Sequence, residues 1–178
     1  MVFAHDTELA LVSAVDLVNS AAGPDTLETG AQLDAFVTGH GYTGSRRHDR
    51  AELDEVRRVR PRLRELLTSD RDTAAELVNE MLLETGALPQ LVRHDGLDWH
   101  IHAVGADRTL AERILVETAM AMVDVVRADE LSRLDVCADE DCDGLVLDLS
   151  RNRSRKFCST TCGNRAAVAA YRARQAGD

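Results

Sequence analysis

Apolar residues recur along most of this chain at intervals of three and four, the spacing that gathers them on one side of an α-helix. Leu9, Leu11, Val12, Val15 and Val18 predict a first helix over about 6 to 20, stopped by Gly23-Pro24. A short helix fits 30 to 39. Another begins after the turn from Gly41 to Ser45, with Leu53, Val56, Leu63, Leu66 and Leu67 facing inward and Pro61 kinking it or opening a new helix. A further helix fits 71 to 85, and Leu110, Ile114, Thr118, Met122 and Val125 share one side of a long helix from 107 to 134. The period changes over Leu91 to His102, where alternation about Asp95-Gly96 predicts a β-hairpin. Pairing about that turn places Val92, Leu97, Trp99 and Ile101 on one face, and Arg93, Asp98, His100 and His102 on the other. A His-x-His pair on a strand has metal-ligand spacing, but no third ligand accompanies it, and a solvent-facing polar strand is the simpler reading. The pattern predicts a mainly α fold, with a helical domain over 1–135 carrying one β-hairpin and a small C-terminal unit over 136–178.

All four cysteines of the chain fall in that C-terminal unit, as Cys137-x4-Cys142-x15-Cys158-x3-Cys162. Two close pairs separated by a hairpin-length insert supply the four thiolates that a tetrahedral structural Zn²⁺ takes. A disulfide or redox switch and an iron–sulfur cluster are the alternatives. The first 20 residues carry Asp6, Glu8 and Asp16 within an apolar pattern and lack a basic start, unlike a secretory signal, and no apolar run reaches membrane-spanning length. A cytoplasmic, reducing location is expected, where thiols stay available to metal. Four sulfur ligands leave an ion no open position, so it would supply folding energy and not catalysis. A helix starting near Ser159 or Thr160 would carry Cys162 in its first turn, where free backbone N–H groups favour a thiolate. Knuckle, hairpin and helix together make a treble-clef-like zinc finger.

Charge divides the chain at nearly the same place. The net charge is −10, yet residues 151–175 contain Arg151, Arg153, Arg155, Lys156, Arg165, Arg172 and Arg174 and no acid, whereas residues 1–150 hold 14 arginines and 30 acidic residues. A compact basic end on an acidic body is the footprint of a phosphate-binding module. Docking of that end on the acidic body of its own chain, or on an acidic partner protein, is the alternative. On the terminal helix Arg165 and Arg172 lie about 20° apart, and Asn164 and Arg165 occupy the first turns, where a recognition helix meets base edges. Local hydrogen bonds, to Asp148 or to carbonyls near the metal, compete for both side chains. The candidate nucleic-acid contacts are Arg151, Arg153, Arg155, Lys156, Asn164, Arg165 and Arg172.

In the helical domain, Asp16 and Asn19 are polar residues three apart in an apolar helix. With Arg60 or Arg64 they would line a small-molecule or anion pocket, or else form a hydrogen-bond network at a helix end. No nucleotide-binding glycine loop, nucleophile elbow or zinc-protease His pair occurs, so enzymatic activity is not expected.

The run Cys162-Gly163-Asn164-Arg165, preceded by the stretch from Asp148 through Arg151, Arg153, Arg155, Lys156 and Phe157 to Cys158, resembles the CGNR zinc-finger family. Upstream, Val15-Asp16-Leu17-Val18-Asn19-Ser20 looks like the "LDFVNT" signature of the ABATE domain that members carry at their N-terminus. Arg60-Pro61-Arg62-Leu63-Arg64-Glu65-Leu66-Leu67 likewise looks like that domain's "LRxxL" stretch, so the matches span nearly the whole chain. Phe157 stands where the family usually has Trp, and Ala167 where a basic residue is common. The resemblance implies one structural zinc and a stress-linked transcription regulator whose finger binds DNA. Its helical domain would then sense a small-molecule effector or mediate assembly, for instance as a homodimer. A protein-interaction module stapled by zinc is the rival reading, as is an RNA binder with Phe157 and Tyr171 as stacking aromatics.

Overall fold

A computed structural model describes residues 2–93 and 99–176, which form six helices and two short hairpins. The helices of the larger unit are α1 (His5–Asn19), α2 (Gly30–Gly39), α3 (Arg50–Thr68), α4 (Arg71–Thr85) and α5 (Leu110–Arg127). Local chemistry sets their ends. Thr29 with Gln32 and Thr109 with Glu112 form reciprocal capping boxes at the starts of α2 and α5. Asp49 and Asp70 accept backbone N–H groups at the starts of α3 and α4, and Gly86 ends α4 in the left-handed conformation that other residues avoid.

α5 is the central helix and packs on α1, α3 and α4. Its predicted stripe, Leu110, Ile114, Thr118, Met122 and Val125, is buried throughout, as are the five predicted inward residues of α3. On α1 the buried side is Leu11, Ala14, Val15, Leu17 and Val18, whereas Leu9 and Val12, expected inside, are exposed. α3 runs unbroken through Pro61. The proline lacks an N–H for the carbonyl of Arg57, and the Arg60 Nε donates to that oxygen instead at 3.3 Å. α5 stops at Arg127, short of the predicted 134, because Asp129 takes a positive φ of 58° that no helix continues.

The strands β1 (Gln90–Val92) and β2 (His100–His102) pair antiparallel, Gln90 with His102 and Val92 with His100. The turn expected at Asp95-Gly96, with Leu97, lies outside the described residues. The observed register is one residue off the predicted one, so Val92 shares a face with His100 and His102, while Leu91 and Ile101 take the opposite, exposed face. No helix among the described residues is long and apolar enough to cross a membrane.

From α5 the chain passes through a single 3-10 turn, Leu131–Arg133, into β3 (Leu134–Val136), which pairs with β4 (Leu145–Leu147), and ends in α6 (Thr160–Ala176). β4 is buried at all three positions. Alternation sends Leu145 and Leu147 into the helical core and Val146 into a second cluster with Cys137 and Cys162. The C-terminal unit is thus seated on the helical one, against α1 and α3, by a strand that serves both.

Candidate metal centre

The C-terminal unit brings its four cysteines to one point. Cys137 follows β3, Cys142 closes a short turn whose N–H donates to the Asp139 carbonyl at 2.9 Å, and the Cys137 N–H reaches across to the Gly144 carbonyl at 2.7 Å. Cys158 comes from the segment before α6, tied in by the Ala138 N–H on the Lys156 carbonyl, and Cys162 sits in the first turn of α6 as predicted. The Ser159 hydroxyl caps that turn by accepting the Cys162 N–H at 3.2 Å.

The four Sγ atoms lie within 4.8 Å of one another, with Cys142 to Cys158 at 3.6 Å and Cys158 to Cys162 at 3.7 Å. A tetrahedron with zinc–sulfur bonds of about 2.3 Å has edges of about 3.8 Å, so these spacings fit a single ion. They are far longer than a disulfide bond of about 2.05 Å, and the four cysteines are free. Backbone N–H groups of Gly144 and Cys158 point at the sulfurs of Cys142 and Cys137, both at 3.4 Å, as donors do around thiolates. Gly144 is required by space. A Cβ there would come 2.9 Å from the Cys158 Sγ and 3.3 Å from that of Cys142. Burial and the neighbouring thiols push the Cys158 thiol up to about 12, while the Ser159 hydroxyl helps pull Cys162 down. Four thiolates held this closely call for a cation among them, and these four cysteines would hold one structural zinc, which when bound ties β3, β4 and α6 together.

Around the sulfurs stands a polar layer. Arg165 donates from Nε to the Asp139 carboxylate at 2.6 Å and reaches the Cys162 Sγ at 3.6 Å, while Asp139 is almost fully buried. Burial raises the Asp139 carboxyl, but the bond from Arg165 together with those from the Asp141 N–H and Cys162 outweighs it and holds the group below its usual range. Asp139 was missed in the sequence; its signal was its place two residues after a ligand. Asp148, one of the local partners expected for Arg165 beside carbonyls near the metal, instead accepts the N–H groups of Ser150 and Arg155 at 2.8 and 2.7 Å and shapes the basic segment.

The other predicted contacts separate into two groups. Arg153 is bound within the chain, to Glu130 at 2.7 Å and Ser132 at 2.9 Å, and Arg155 lies on the carbonyls of Leu147, Phe157 and Cys158. Arg151, Lys156, Asn164 and Arg172 are exposed, with no side-chain partner among the described residues.

The four residues expected at a pocket do not converge. Asn19 forms a two-point clamp on β4, its Nδ2 donating to the Leu145 carbonyl at 2.9 Å and its Oδ1 accepting the Leu145 N–H at 2.6 Å. Asp16 pairs with His40 at 3.4 Å and, with Asn19, Arg155 and Cys158, lines a cleft of about 250 Å³ between α1 and the C-terminal unit. Arg60 is buried elsewhere, where it grips both oxygens of Asp25 at 3.0 and 2.9 Å and holds that carboxyl well below its usual range. Arg64 donates to the Asp143 carbonyl beside the metal centre.

Residues 11–129 match the ABATE family, described as "Putative stress-induced transcription regulator", and residues 133–175 match the CGNR zinc finger. No curated protein matches the chain. Asn19 and Arg64 fall in the first match and bind backbone in the second, so the two regions are joined at their polar contacts as well as through β4.

Proposed function

Because the chain belongs to the ABATE family and carries a CGNR zinc finger, we propose that it is a transcription regulator whose zinc-organised C-terminal unit binds duplex DNA. The observation that carries this reading is α6. Residues 167 to 175 are exposed on every side, and Arg172 and Arg174 stand on that free helix, with Arg151 and Lys156 on the segment leading to it. A helix with no protein surface to lie on, and with cations spent on nothing else in a chain of net charge −10, is suited to a groove between phosphates. Asn164 is exposed in the first turn of α6, where an amide can read a base edge. Arg153, Arg155 and Arg165 are engaged in holding the unit together, so they would present the contact surface more than form it. The helical domain then acts as the sensing or assembly part, and the protein works in the cytoplasm, where thiols stay reduced.

The pairing of Arg153 with Glu130 favours a second reading, in which the basic segment docks on acidic protein surfaces and zinc only staples it. Selection of zinc-loaded protein against a randomised duplex pool at about 0.15 M salt separates the two, with Cys158→Ser and Lys156→Ala/Arg172→Ala proteins beside it. DNA reading gives an enriched site, lost in both variants, and a salt dependence of log affinity of about −4, as four phosphate-neutralising cations require. Zinc-loaded protein that enriches no site would overturn it in favour of protein docking.

A further inference from the structure

A cavity among the described residues lies away from the metal, in the helical domain, and measures about 690 Å³, a size that small-molecule sites share. One wall is the inner face of the β1–β2 hairpin, the face to which the one-residue register shift brings Val92 and His102; the opposite wall is the loop at Thr43-Gly44 and the end of α4. Leu88, Val92 and Val104 give the lining its apolar part. Arg108, just before α5, gives it a cation.

That guanidinium is poorly satisfied. Its Nη2 is shared between the Thr85 carbonyl at 3.4 Å and Glu112 at 3.1 Å, and its Nε is buried without a hydrogen-bond partner. Behind the wall stands a second cation, Arg113, which is almost fully buried and donates to the carbonyls of Ser45, Ala106 and Arg108, with no carboxylate in ion-pair contact among the described residues. Arg108 therefore offers the cavity edge a guanidinium whose hydrogen-bonding capacity Glu112 and Thr85 fill only in part, set into walls that are otherwise largely apolar. One accessible guanidinium beside hydrocarbon suits a monoanion with an apolar body. A phosphate dianion would leave charge uncompensated and would gain nothing from Leu88 or Val104.

We propose that this cavity binds a small amphipathic carboxylate, its charged end on Arg108 and its hydrocarbon part along Leu88, Val92 and Val104. The proposal rests on the reading of the helical domain as the sensing part and gives that part a ligand class. α5 starts two residues after Arg108 and ends shortly before the 3-10 turn that enters β3, so occupancy at its start is one helix away from the metal unit.

The test uses the full zinc-loaded chain without DNA, so its result is independent of whether α6 reads a duplex. Octanoate, phenylacetate, octanamide and inorganic phosphate are titrated while thermal melting and heat of binding are followed. Either carboxylate should raise the melting temperature while octanamide and phosphate do not. Arg108→Gln should weaken the carboxylate at least about tenfold. Val104→Phe, which fills the cavity and leaves the cation, should do the same. No response to either carboxylate, an equal response to octanamide, or carboxylate binding unchanged in Arg108→Gln would overturn the proposal.

Discussion

Asn19 and Glu117 show what single side chains contribute here. Among the described residues, the Asn19 amide is the sole side chain that both donates to and accepts from the β4 backbone, and Leu145 is buried. Asn19→Ala would leave a buried N–H and carbonyl unpaired, and we expect it to cost about 2 kcal/mol, read from urea unfolding of the zinc-loaded protein. Asn19→Asp should restore only part, since a carboxylate cannot donate to the carbonyl. Glu117 lies in α5 near Tyr42 and Arg113, and burial pushes its carboxyl up to about 7, against the partial opposition of Arg113. The folded chain then holds a proton that the unfolded chain releases at the ordinary carboxylate value, so this stability is complete at acid pH and is lost as pH rises through 7. Glu117→Gln should therefore raise the urea midpoint at pH 8.5 and leave it nearly unchanged at pH 4.5. An equal shift at both values would remove the charging argument. At this scale the cysteines were fully legible, because four soft ligands in one window have few other uses. Asn19 stood out as polar in an apolar helix, but its partner is 126 positions away and no local pattern could name it.

At the scale of elements, periodicity read the helices well and the strands poorly. α2 and α4 fall where predicted, and the buried stripes of α3 and α5 are those expected, since burial repeats every turn and the caps are written in Thr29, Asp49, Asp70 and Thr109. The hairpin register slipped because a strand three residues long offers too few side chains to fix its phase, and one residue exchanges its faces. Pro61 was no break, since the side chain of its neighbour Arg60 could take the orphaned carbonyl. The knuckle between β3 and β4 depends on Gly144 for clearance from two sulfurs. Gly144→Ala should lower zinc affinity by about tenfold in competition with a chelator, with the helical content unchanged by circular dichroism. An unchanged affinity would mean that the cysteines can shift without loss.

Across the whole molecule the two charge blocks predicted from the sequence are both present, but the basic one is partly neutralised by its own body through Arg153 and Arg165. The sequence division near residue 135 marks where the chemistry changes from helical packing to sulfur ligation. The core does not divide there, because Leu145 and Leu147 lie within the helical cluster. Chelation should therefore lower a single calorimetric transition of the entire chain, by about 10 °C if about 3 kcal/mol is lost at the midpoint. A low transition for the C-terminal unit beside an unmoved one for the helices would contradict a shared core. The same strand sets an order of events in biosynthesis. Chains are made from the N-terminus, so all five helices of the bundle exist before the two leucines that complete their core, and packing must wait for residues that lie between the first and second pairs of ligands. Capture of the ion and closure of the bundle become one late step, and a nascent chain halted before β4 would leave the surface of α1 meant for it bare.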